Sequence, residues 1–121
     1  MADPFLIELA TAVIANGQSL SPQVNIGPKP LVGIVTPTNW AAAGITFQAS
    51  ADGGTTWGEL EDATASAISI GSITGQAFIT LDPAKFKGIS ALKLRSGTAG
   101  TPVAQNNAGG TSVRLLRRLV T

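Results

Sequence analysis

Apolar and polar residues alternate with a period of two through much of this chain, the spacing of strands with one buried face. Ile45, Phe47 and Ala49 fall on one side while Thr46, Gln48 and Ser50 fall on the other. Residues 91–95 repeat the pattern, with Leu92 and Leu94 expected inward and Lys93 and Arg95 outward. Residues 31–36 (LVGIVT) form instead a continuous apolar run, the mark of a central strand buried on both faces. Further strand-like stretches are residues 7–14, 19–26, 57–60, 67–73, 76–81 and 111–120.

Turn chemistry punctuates these stretches. Asn16-Gly17 favours a tight hairpin between the first two, and Thr74-Gly75 a turn between residues 67–73 and 76–81. Gly27-Pro28-Lys29-Pro30 breaks pairing, because proline cannot donate to a ladder. Asp82-Pro83 reads as a helix cap followed by proline at the first helical position, with Gly88 as the stop, which predicts one short helical turn. Asp3-Pro4 and Gly17 also frame a helix, with Phe5, Leu9 and Val13 at helical spacing. The β-branched Thr11, Val13 and Ile14 favour a strand there. About eight strands and one helical turn predict a single domain over residues 1–121: an all-β, two-layer β-sandwich with jelly-roll or other Greek-key connections.

Composition narrows the chemistry. Charged residues make up only 12% of the chain against about 25% in ordinary globular domains. Hydrophobic residues reach 44%, and the mean hydropathy is +0.28. Surface is covered by Ala, Thr, Ser, Gly and Asn, which suits faces buried between subunits, where charge is depleted, and equally suits a plain small β domain. No run approaches the roughly 20 apolar residues of a membrane helix, and no signal-peptide pattern opens the chain, so a soluble, intracellularly made protein is expected.

The charges are unevenly placed. Seven acids and one base, Lys29, lie between Met1 and Asp82; seven bases and no acid follow from Pro83. The total of +1 thus conceals a −6 segment followed by a +7 segment. If strands from the two segments interleave, the charges mix; otherwise the domain is polar and could steer its own assembly. The basic segment lacks interleaved aromatics, so nucleic acid is not an expected partner.

Catalysis finds little to work with. There is no His and no Cys, which removes the commonest general base, the commonest metal ligand and the thiol nucleophile. A serine nucleophile would need a lysine base, and Lys29, Lys85, Lys87 and Lys93 stand in no recognisable partner motif. Asp52, Glu59, Glu61 and Asp62 lack the alternate spacing of a calcium loop, and read as a solvated acidic hairpin. The expectation is a protein that is not an enzyme and holds neither cofactor nor metal.

Ser50-Ala51-Asp52-Gly53-Gly54-Thr55-Thr56-Trp57 resembles the Asp-box, S-x-D-x-G-x-T-W, at every defined position. Its expected role is structural: Ser50 and Asp52 hydrogen-bond within a hairpin tip, Gly54 takes a backbone shape closed to other residues, and Trp57 packs beneath. Sialidase propellers repeat this motif remote from the catalytic pocket; one copy in a chain this short does not imply that activity. Residues 97–110 form a long Gly/Ala/Asn/Thr-rich loop with Gln105-Asn106-Asn107 near its end, and a neighbouring chain is expected to order it. The apolar stretches 5–9 and 115–120 are expected to be held in a sheet or by a neighbour. In the closing segment neither face is purely apolar. Either Arg114, Arg117 or Arg118 meets the core rim or a partner, or the arginines guard an edge strand by charge.

Three ordered stretches resemble a family of small virion proteins of tailed bacteriophages. They are Leu31-Val32-Gly33-Ile34-Val35-Thr36-Pro37 with Asn39-Trp40, then Ile45-Thr46-Phe47-Gln48-Ala49-Ser50-Ala51-Asp52-Gly53, then Leu81-Asp82-Pro83 followed by Leu92-Lys93-Leu94-Arg95-Ser96-Gly97-Thr98. The resemblance implies a capsid decoration or cement protein. Such a protein would be trimeric, would bind major capsid protein and its own copies, and would reside in the virion after assembly in the bacterial cytoplasm. Phe5, Trp40, Gln105, Asn106, Asn107, Arg114, Arg117 and Arg118 are the candidate interface residues. The alternative is a carbohydrate-binding or anchoring module of a head fibre, tail or baseplate, with Trp40 and Trp57 as stacking surfaces for a host glycan.

Overall fold

A computed structural model describes residues 6–119. Strands β1 (Glu8–Ile14), β3 (Leu31–Val35), β7 (Phe78–Thr80) and β9 (Thr111–Arg117) form one sheet in the order β1-β9-β3-β7. Strands β2 (Val24–Asn25), β4 (Ala43–Ser50), β5 (Gly58–Glu59) and β8 (Ala91–Ser96) form the other in the order β2-β8-β4-β5, and β6 (Ile70–Ile73) pairs with β4 beside β5. Every pairing is antiparallel. These two orders are those of a jelly roll, two facing sheets between which the chain passes back and forth.

That topology corrects two hairpins. Asn16-Gly17 and Thr74-Gly75 do turn the chain, with φ of +83° at Gly17 and +74° at Gly75. Yet β1 pairs with β9, and residues 19–26 run to the opposite sheet, where β2 meets β8. Likewise β6 lies on β4 while β7 lies on β3. A positive-φ glycine sets the local reversal and says nothing about which strand receives the chain. Polar bonds hold both crossings. The Gly17 amide donates to the Gln105 carbonyl (2.9 Å), and the Thr36 hydroxyl donates to the Gly75 carbonyl (3.0 Å) while accepting from the Ala77 amide (2.9 Å).

The facing sides of the two sheets make the core. Ile14, Ile34, Val113 and Leu115 from one sheet meet Ile45, Phe47, Leu92 and Leu94 from the other, all essentially without solvent contact. The Asp82 carboxylate accepts from the Ala84 amide (3.0 Å), capping the short 3-10 turn Pro83–Phe86. The turn delivers Phe86 edge-on to Phe47, with ring centroids 5.3 Å apart and planes at 87°. Leu31–Val35 lies between β9 and β7, as a central strand should.

The acidic and basic segments interleave. Glu8 of β1 pairs with Arg117 of β9 (3.0 Å) and with Lys29, and Glu59 of β5 pairs with Arg95 of β8. Charge is thereby mixed across the sandwich rather than split between two ends.

Candidate interaction surface

The two outer faces of the sandwich differ. On the five-stranded sheet, Arg95 is buried, contrary to its expected solvent position. Its Nη1 donates to Glu59 Oε2 (3.2 Å), its Nη2 to Glu59 Oε1, and its Nε to the Thr46 hydroxyl (3.1 Å), which itself donates to the Gly97 carbonyl (2.7 Å). Gln48 donates to Glu59 (3.1 Å), and the Lys93 ammonium lies 4.5 Å from the centre of the Trp57 ring. The guanidinium bonded to Glu59 holds its carboxyl below the ordinary range. These polar groups are satisfied by one another.

The Asp-box hairpin closes this end. The Ser50 hydroxyl donates to Asp52 Oδ1 (2.7 Å) and accepts from the Gly54 amide (2.9 Å). Asp52 also accepts from the Thr55 and Thr56 amides (3.1 and 2.9 Å) and from the Thr56 hydroxyl (2.6 Å). Those bonds, Thr56 foremost, hold the Asp52 carboxyl far below its ordinary value, so it is an anionic turn post rather than a proton carrier. Trp57 Nε1 donates to the Gly54 carbonyl (3.0 Å). Gly54 has φ +103°, and a Cβ there would collide with the Gln23 side-chain amide. These bonds and the positive φ at Gly54 fall within the turn, where its local pattern places them.

The four-stranded sheet presents the opposite character. Registers place Leu9, Leu116, Gly33 and Thr80 in one outward row, Thr11, Arg114, Val35 and Phe78 in the next, and Val13 beside Ser112 in a third. Phe78 is 65% exposed, Leu9 60% and Val13 40%. An added Cβ at Gly33 would crowd the Ile79 carbonyl (3.1 Å) and come into ordinary contact with the Phe78 ring and Leu116. An open groove of about 310 Å³ runs past Arg114, Val35, Ser112 and Gln76. Here large apolar side chains meet solvent around a central guanidinium.

The sequence-derived candidates scatter. Arg114 lies on this apolar face, and Arg118 is exposed just beyond β9. Arg117 is half-buried, donating to the Asn25 and Ile26 carbonyls (3.0 and 3.2 Å) and to Glu8, so it meets the core rim within its own chain. Two expected interface residues are internal. Trp40 is buried, with Nε1 donating to the Ala43 carbonyl (3.3 Å). Gln105 is fully buried; it donates to the Ala41 carbonyl (3.0 Å) and the Ser96 hydroxyl (2.8 Å) and accepts from the Ala41 amide (2.8 Å). Asn107 donates to the Asn39 carbonyl (3.0 Å) and the Thr111 hydroxyl (2.6 Å), while Asn106 is exposed. Gln105 and Asn107 thus tie the long loop to its own chain. Phe5 lies outside the described residues.

Of the two indoles, Trp40 is in the core and Trp57, half-buried, has Lys93 over its ring. Among the described residues, no three or more His, Cys, Asp or Glu side chains gather as a metal site would require, and no helix is long and apolar enough to cross a membrane. Leu9, Val13 and Phe78 are not among the interface residues expected from the sequence, although Leu9 lies in the apolar stretch 5–9. The available signal was an inverted alternation in β1, where small Ala10 and Ala12 point inward and larger Leu9 and Val13 outward.

No family model and no curated protein matches the chain. Among solved structures, the crystal structure of the Yersinia pseudotuberculosis-derived mitogen (YPM) is similar at a TM-score of 0.39 and 16% identity, over 96% of this chain and 87% of that one.

Proposed function

We infer that this chain is a non-catalytic structural protein of a tailed-phage virion, a capsid decoration or cement protein that binds major capsid protein and copies of itself. The observation that carries the reading is the contrast between the outer faces. One is a closed polar network; the other exposes Leu9, Val13 and Phe78 around Arg114. Apolar surface removed from water contributes about 25 cal/mol per Å². Repeated over many copies on a shell, that term holds capsomers together without chemistry. The partner surface that fits is apolar with a carboxylate opposite Arg114.

The resemblance of residues 31–105 to phage virion proteins supplies the context, and a jelly roll is a frequent architecture for capsid domains. Fold alone assigns no function. The test is to dissociate particles carrying this chain, separate heads from tails, and locate it by mass spectrometry. Recovery with heads is expected; recovery only with tails overturns the assignment.

A further inference from the structure

Four of the five strands that border the two sheets are short. β2 and β5 have two residues each, β7 three and β6 four. Short borders are one way a sheet avoids pairing with another chain. β1 is the exception, with seven residues, no proline, lysine or arginine, and an unbroken register against β9; its one charge is Glu8, at the first position of the strand. Among the described residues, the loops and turns send no backbone hydrogen bond to Glu8–Ile14. Among the described residues, the backbone groups of this seven-residue strand that point away from β9 are an open template.

We propose that β1 pairs antiparallel with β1 of a second copy about a two-fold axis at Thr11, joining two four-stranded sheets into one of eight. Among the described residues, only another β1 offers an open border of matching length. The register is self-complementary. Opposing Thr11 to the partner's Thr11 sets Leu9 against the partner's Val13 on the outer face, and Ala10 against the partner's Ala12 on the inner one. Cross-strand pairs of these kinds are favourable. The one charge on the strand, Glu8, is already paired with Lys29 and Arg117. The two copies of Glu8 would stand roughly 20 Å apart at opposite ends of the ladder, beyond the screening length of physiological salt, about 8 Å. No like charges oppose one another. The pairing also makes the two apolar outer faces continuous. It is a two-fold pair rather than the trimer that the family resemblance implies, and it does not depend on the virion assignment.

The chain has no cysteine, so one introduced thiol reports its neighbour cleanly. Opposed antiparallel residues have Cα atoms about 4.5–5.5 Å apart, within disulfide reach. Under mild oxidation of the full chain, Thr11→Cys is expected to form covalent dimer about tenfold or more faster than Thr80→Cys, a control on β7 of the same face. Sedimentation equilibrium is expected to show a dimer that the exposed-site variant Leu9→Lys/Val13→Lys converts to monomer with its thermal midpoint retained. Equal cross-linking rates at the two positions overturn the proposal. So does a wild-type chain that stays monomeric at high micromolar concentration, including one in which the β1 amides are protected by the chain's own first residues.

Discussion

Arg95 grips both carboxylate oxygens of Glu59 on the outer face of the five-stranded sheet, from a strand position whose alternation pointed it to water. Its burial comes from the hairpin that brings β5 alongside β4, which sets Glu59 next to Gln48 and within reach of the guanidinium. Arg95→Ala removes the charged partner of Glu59, leaving it Gln48, and the donor to the Thr46 hydroxyl, which keeps its bond to Gly97. Because Glu59 is partly exposed, the expected cost is about 2 kcal/mol, below the figure for a fully buried pair. Urea unfolding of the variant measures it, and Glu59→Gln should cost less.

The hairpin tip makes a second prediction. Gly54→Ala forces a side chain into φ +103° and into contact with Gln23. The backbone strain alone costs about 1–3 kcal/mol. Adding Gln23→Ala removes the contact and leaves the strain, so the double variant should recover only part of the loss by chemical denaturation.

Acid stability follows from four carboxyls held below their ordinary values. Glu59 is lowered chiefly by its bond to Arg95, Glu8 by Lys29, Asp52 by Thr56 and Asp62 by Thr64. A group with a depressed folded pKa stabilises the fold above its unfolded pKa, and that contribution is lost as pH falls through the folded value. The thermal midpoint should therefore be flat from about pH 6 to 8, where no histidine titrates, and fall below about pH 4.5. Asp52→Asn should make the acid fall shallower; a midpoint that drops between pH 8 and 6 contradicts this account.

Gln105 links the long loop to the core through three side-chain hydrogen bonds. Gln105→Leu strands the Ala41 amide and the Ser96 hydroxyl and should cost about 2–4 kcal/mol. Asn106→Ala, at an exposed neighbour, should stay within about 0.5 kcal/mol. Denaturation midpoints of the pair show whether the loop is held from inside.

What the sequence made legible was local or periodic. The Ser50–Trp57 turn, the Asp82 cap and the inward Leu92 and Leu94 follow from neighbours a few residues away, and the structure bears them out. What it hid was partnership across the sandwich. Asn16-Gly17 and Thr74-Gly75 specify a reversal, and only the jelly-roll order makes them crossings between sheets. Gln105 reads as an adaptable loop residue until Ala41 and Ser96, remote in sequence, close around it. The apolar face escaped notice because β1 puts its alanines inward and Leu9 and Val13 outward, against the usual sense of the pattern.

Binding to heads is the most direct test of the functional account. Purified chain would be titrated onto heads that lack it, assembled from the genome that encodes it, with Phe78→Glu as the comparison. Saturable co-sedimentation is predicted for the native chain, with affinity reduced about tenfold or more by Phe78→Glu at unchanged thermal stability. Absence of head binding, or equal binding of the two chains, would contradict a docking role for the four-stranded face.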